Sequence, residues 1–235
     1  VLIDPVPHRI GLFPATNAYI EALYNWTRKN NSLLVFDEVV SYRVNYAGAQ
    51  DSYSVKPDLT AIGKIIGGGF PIGALAGKSE IMSVLDPRAT FLKHPHSGTF
   101  SANPISTTAG RVAMELFDEA AVLKLNAFTM KARKQIEELI KTADVPVSLT
   151  GAGSMFRLHF QKKAPKTYRD AYQDKATKAV IDELLDYLFL KKDIIMINTL
   201  ACMFSTSLSQ DNIDRLSEAL FQGLIQIKPK LDQFV

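Results

Sequence analysis

Apolar residues along this chain follow two rhythms. Short continuous runs at Leu33-Leu-Val-Phe36, within Pro57-Asp-Leu-Thr-Ala-Ile-Gly63 and at Gly73-Ala-Leu-Ala-Gly77 have the pattern of strands covered on both faces. Val1-Leu-Ile-Asp-Pro-Val6 reads as a further buried strand that begins abruptly. Between these runs the spacing turns helical. Thr16 suits an N-cap, and Ile20, Leu23, Tyr24 and Trp26–Thr27 continue one helix to about Asn30. Another helix starts near Ser79 and runs to Leu85. Strands alternating with helices predict a doubly wound α/β layer.

A long helical region follows Asn103-Pro104, through Ala109–Leu116 and Val122–Ile140. The pattern then changes. Pro146–Thr150, Met155–Phe160, Ile194–Ile197 and Met203–Leu208 read as strands, and Lys175–Phe189 and Asp211–Ile227 as helices. Antiparallel-looking strands beside helices predict a smaller α+β domain. The expected division is 1–122 for part of a large domain and 123–235 for the small one.

Composition narrows the class. With 235 residues and 47% hydrophobic content, the chain can bury one large core or two smaller ones. A net charge of +3, without a long Lys/Arg block, leaves no nucleic-acid footprint. No apolar run approaches the roughly 18 residues of a membrane span. Cys202 is the only cysteine, so neither a disulfide framework nor a cysteine-based zinc site is available, and a reducing cytoplasm is the default compartment. No signal peptide precedes the sequons at Asn25 and Asn30, which gives them no role. His94 and His96 flank Pro95 in a poor pairing for one metal ion, so no metal site is expected. His8 and His159 read as isolated residues, Gln161–Lys166 as a solvated loop, and Arg43 as a structural ion-pair partner.

Three segments carry candidate chemistry. Asp37 ends the run Leu-Leu-Val-Phe, and ligands of parallel α/β sheets bind at the carboxyl ends of strands. Taken alone, Asp37 serves equally well as a loop cap. Lys64 follows the strand at Leu59–Gly63, where a lysine can simply snorkel to solvent. The glycines at 67–69 weaken that reading, because they let the backbone turn sharply beside a bulky group. A P-loop would place its lysine after the glycines, and the dinucleotide fingerprint fails at Ile72. An amine that holds an aldehyde as a Schiff base, with an anion that keeps a pyridine nitrogen protonated, is what pyridoxal phosphate chemistry needs. The third segment, His96-Ser-Gly-Thr-Phe-Ser-Ala-Asn-Pro104, precedes a long helix. Its amides and Thr99 suit a phosphate, while Ser101 or Asn103 suits an ordinary N-cap.

In this order and spacing, the Asp37-Glu-Val39, Lys64 and Gly98-Thr99 motifs resemble the class III aminotransferases, with the glutamate-1-semialdehyde aminomutases as the nearest subgroup. Matching context includes Arg43-Val-Asn-Tyr-Ala-Gly-Ala-Gln50, Pro57-Asp58 and Gly153-Ser-Met-Phe156, and extends from Val1 to about Asn212. The resemblance implies fold type I, with an N-terminal part of the family's chain missing before Val1. It implies pyridoxal phosphate carried by Lys64, a ring nitrogen paired with Asp37, and Val39 packed on the ring. Gly98 and Thr99 would reach the cofactor phosphate of a neighbouring subunit, in a homodimer with shared active sites. Small-molecule amino donors and acceptors would be the partners. The loop Thr199-Leu-Ala-Cys-Met203 lacks both the acidic residue of the aminomutases and the arginine of relatives acting on β-amino acids, which leaves transamination and intramolecular exchange open. The competing reading is a non-catalytic, truncated paralogue that acts only in assembly with a full-length partner.

Overall fold

A computed structural model describes residues 1–231. The chain divides into two compact units, one formed by Val1–Val6 with Ala15–Val122 and the other by Pro7–Pro14 with the chain from Leu123 onward. Among the described residues no helix is long and apolar enough to cross a membrane.

The first unit is built on a four-stranded sheet of β1 (Leu2–Ile3), β2 (Val35–Asp37), β3 (Leu59–Gly63) and β4 (Gly73–Gly77), in that spatial order. The first three strands are parallel and β4 pairs antiparallel to β3. Helix α1 (Asn17–Lys29) begins where the Thr16 hydroxyl accepts the Tyr19 N–H at 3.2 Å. Its inward residue Ile20 packs with Leu34, Phe36 and Tyr53, the last two edge-to-face at 5.9 Å between ring centroids. The unit continues through α2 (Ser79–Met82) and α3 (Pro104–Leu116). Asn103, not Ser101, caps α3, its side chain accepting from the Ile105 and Ser106 amides, with Pro104 at the first helical position.

At the opposite end of the sheet from Asp37, the buried Asp58 carboxylate anchors the start of β3. It accepts from Arg28, from Lys78 Nζ at 2.7 Å and from the Leu34 N–H at 2.8 Å. Burial alone would push this carboxyl up. The hydrogen bonds from Arg28, Lys78 and Leu34 outweigh it and hold the group well below the usual carboxylate range.

The second unit holds an antiparallel sheet, β5 (Ser148–Ala152), β6 (Met155–His159) and β7 (Ala201–Met203). It also holds the helices α4 (Glu119–Ala143, from its second turn), α5 (Lys175–Lys192) and α6 (Gln210–Leu231). Phe156, Leu158, Leu184, Leu188 and Ile227 are fully enclosed in its core. The segment Pro7–Pro14 belongs here because β6 and β5 bind its backbone. Thr150 Oγ1 donates to the Gly11 carbonyl oxygen, and Arg157 Nη1 donates to that of Arg9 at 3.2 Å.

Three expected strands differ. In place of Met203–Leu208 the strand is Ala201–Met203, and a loop follows it. Ile194–Ile197 forms no strand; Ile195 is 82% exposed, and the segment is a loop leaving α5. The first strand covers only Leu2–Ile3, and Leu2 is exposed because β1 lies at the sheet edge and Pro5 follows closely.

Candidate active site

Three parallel strands bring their carboxyl ends to one edge of the first unit's sheet. Asp4 follows β1, Asp37 closes β2, and Lys64 follows β3. Asp37 lies opposite Ala61 in register, and the Glu38 N–H continues the ladder to the Ala61 carbonyl at 2.8 Å. The chain after β2 is therefore tied to β3 just before Lys64. A Cβ added at Gly63 would meet Val39 Cγ1 at 3.5 Å, so the Val39 side chain lies against the residue preceding the lysine. The Asp37-Glu-Val39 and Gly63-Lys64 motifs, separate in sequence, are neighbours in the fold.

Each residue is held by local chemistry. Asp37 is half-buried, and its Oδ1 accepts the Val39 N–H at 3.1 Å, so it fulfils its loop-capping role while sitting at the strand end. Glu38 is fully buried and accepts the Ala49 and Gln50 amides at 2.6 and 3.0 Å, pinning the loop that follows. Burial pushes the Glu38 carboxyl up to about 7, against those two hydrogen bonds. Asp4 is pushed up to about 6, chiefly by burial and further by the nearby Asp37 charge. Lys64 is exposed and opens a 3-10 turn, Lys64–Gly67, with φ +49. A left-handed backbone at a non-glycine residue costs about 1 kcal/mol or more, so the surroundings must fix it.

The glycines after Lys64 turn the backbone sharply, with φ +57 at Gly68 and +94 at Gly69, and the bulky neighbour at Gly68 is the chain itself. A Cβ at Gly68 would lie 2.5 Å from the Ala109 carbonyl oxygen, and one at Gly110 would lie 2.0 Å from that of Ile66. The close neighbour is α3, whose backbone packs directly on the lysine's turn. Gly98 and Thr99 lie in an exposed turn, where the Ser101 N–H donates to the Gly98 carbonyl at 2.9 Å. Among the described residues no hydrogen bond joins them to Asp37 or Lys64.

Sequence reasoning passed over Asp4 and Glu38 as site residues. Glu38 could have been suspected from its place between Asp37 and Val39, where a strand end turns inward; nothing local marks Asp4. Together the residues suit a planar cofactor with an aldehyde at one end and a basic ring nitrogen at the other. An amine and a carboxylate stand at adjacent strand ends, with an apolar Val39 beside them.

Parallel strands ending in this lysine and carboxylate define a fold type I protein of the aminotransferase kind. The chain belongs to the class III aminotransferases, the sequence profile of that family (Aminotransferase class-III) matching residues 1–222. It is similar to the glutamate-1-semialdehyde 2,1-aminomutase of Methanothermobacter thermautotrophicus, 35% identical over 97% of this chain and 54% of that protein. The aminomutase of Protochlamydia amoebophila is 37% identical over 75% of this chain and 41% of its own length. Among solved structures, an omega-transaminase from Sphaerobacter thermophilus superposes with a TM-score of 0.92 at 37% identity, over 96% of this chain and 51% of that one. A beta-phenylalanine aminotransferase from Variovorax paradoxus gives 0.88 at 28% identity, over 97% and 52%. The chain spans about half the length of the curated relatives it matches.

Proposed function

We propose that the chain is the lysine-bearing part of a pyridoxal phosphate enzyme that transfers an amino group on an amino-acid-like substrate, as an aminotransferase or a 2,1-aminomutase. The juncture of Val39, Gly63 and Lys64 at two parallel strand ends supports this reading, because an amine and a carboxylate follow adjacent strands and, among the described residues, the lysine makes no ion pair. Bound cofactor supplies an electron sink for the bond broken at the substrate's amino-bearing carbon. Lys64 would hold the cofactor covalently, and its amine would carry the proton between carbons. Asp37 keeps the ring nitrogen protonated, and Val39 covers a ring face.

We assign the first unit to the family's cofactor-binding large domain and the second to its small domain. Gly98 and Thr99 serve the phosphate of a second subunit in a homodimer. Their exposure supports this, as do Phe100, 82% exposed, and the bare apolar face of α3 at Ile105, Val112 and Leu116. The lone Cys202, its thiol pushed up to about 12 by burial, suits a reducing cytoplasm.

Borohydride trapping tests the central claim. The chain incubated with pyridoxal phosphate, reduced and digested should yield one modified peptide containing Lys64, and Lys64→Ala should abolish it. Adducts spread over surface lysines and unchanged in Lys64→Ala would refute the assignment.

A further inference from the structure

The second unit contains a cavity of about 390 Å³, bordered by Pro7–Pro14, β6 and α5. Arg157 is one of its walls. In β6 the alternation Met155, Arg157, His159 turns these side chains to one face of the strand. Arg157 is only 3% exposed, yet it makes no ion pair among the described residues. Its Nη1 donates to the Arg9 carbonyl, while its Nε is buried with no partner. A guanidinium does not escape this cost by deprotonating. Burying it without a counter-charge is costly, because no attraction repays the ion's lost hydration. A fold that keeps such a group beside a cavity has reserved its charge.

The rest of the lining agrees. Arg9 and Lys178 join Arg157, and a single carboxylate, Asp182, stands against these three cations. Lys178 also lies close enough to Asp174, one helical turn away, to lower that carboxyl, so part of its charge is already engaged. Arg157 is therefore the anchor. Its field reaches His159, whose imidazole is pushed down to about 4, chiefly by burial and then by Arg157. The neutral His159 ring is held by Thr150 Oγ1 at 2.8 Å and the Gly11 carbonyl at 3.1 Å, and contributes no charge of its own. The same lining includes Tyr168 and Tyr172, which meet edge-to-face with centroids 6.5 Å apart, and Ile10 and Ile181. The volume lies at the small end of ligand pockets, which span about 300–1,000 Å³.

We propose that this cavity binds a small organic carboxylate with an apolar or aromatic stem, the carboxylate gripped by Arg157 with Arg9 and Lys178, and the stem seated on Tyr168 and Tyr172. The inference does not rest on the Lys64 reading, and it is tested without pyridoxal phosphate.

Calorimetric titration of the full chain with 3-phenylpropanoate and, separately, with inorganic phosphate decides it. The expected result is saturable carboxylate binding, at least tenfold weaker in Arg157→Met and two- to fivefold weaker in Arg9→Gln and Lys178→Gln. Phosphate should bind more weakly than the carboxylate. The thermal midpoint of Arg157→Met should be unchanged or raised, since an unpaired buried charge gives way to an apolar side chain of similar volume. A large fall in that midpoint with carboxylate binding intact would make Arg157 structural and overturn the proposal. So would tighter binding of phosphate, or no binding of either anion at millimolar concentration. Should Arg157→Met fail to fold, the two surface variants decide alone: unchanged affinity in both overturns the proposal, and weakened affinity in both supports it.

Discussion

The two units bury ionisable groups of opposite kind, acidic in the first and basic in the second, and they do so for different ends. The first encloses carboxyl groups: Glu38 pins a loop beside the strand ends, Asp58 ties β3 to Arg28 and Lys78, and Asp4 lies next to Asp37. The second encloses Arg157 and His159 on one face of β6. Packing differs as well. The second unit closes its core over Phe156, Leu184 and Ile227, whereas β4 is exposed along its length and Leu116 on α3 is 74% exposed. A sheet with bare apolar positions is one built to be covered. The lesson is that apolar content alone does not locate a core: the first unit encloses Ile20, Leu34 and Phe36, yet leaves β4 and one face of α3 bare.

Truncation at matched apolar positions gives the widest contrast. Phe156→Ala, which empties a fully buried site packed edge-to-face on Phe204 at 5.2 Å, should cost about 3–5 kcal/mol in urea unfolding. Leu116→Ala should stay within about 0.5 kcal/mol for the isolated chain. Equal losses would mean that the α3 face is already covered in solution. Gly110→Ala is expected next in size, at about 1–3 kcal/mol, because the added methyl strikes the Ile66 carbonyl and forces α3 off the lysine's turn. The same variant should slow borohydride-trappable loading at Lys64, while a substitution on the far side of α3, such as Arg111→Ala, should not.

The last contrast is in pH dependence, where the two units run in opposite directions. The Glu38 carboxyl titrates at about 7 in the fold against 4.5 ordinarily, so its contribution is complete below 4.5 and is lost as pH climbs through 7. Asp4 acts likewise, between 3.8 and about 6. His159, at about 4 against 6.5, contributes fully above 6.5 and loses that contribution as pH falls through 4. Thermal midpoints measured from pH 4 to 8 should show Glu38→Gln flattening the fall on the alkaline side and His159→Asn flattening the fall on the acid side. If either variant removes both slopes, the charges of the two units are not independent.

Most elements were legible because their causes are local. Thr16, Asn103 and the apolar spacing mark α1 and α3, and the runs ending at Asp37 and Gly63 mark β2 and β3. Ile194–Ile197 misled because a short apolar run looks the same exposed or buried. The glycines after Lys64 mark the sharp turn they make, but not that the bulky neighbour at Gly68 is a helix some forty residues further along the chain. Nothing in Pro7–Pro14 announces that it serves distant strands. Period-two spacing could have marked Arg157 as inward-facing, but whether a buried arginine has a counter-charge depends on residues far away in sequence.

That borrowed segment sets the order of assembly. Thr150, Arg157 and His159 find their backbone acceptors at Arg9 and Gly11, 139 to 148 positions earlier. A gene fragment opening at Leu123 would therefore expose those three side chains unsatisfied, however complete its helices. During synthesis the Pro7–Pro14 segment must wait, undocked, until the hairpin emerges to claim it, which places this closure among the slow, late steps of maturation.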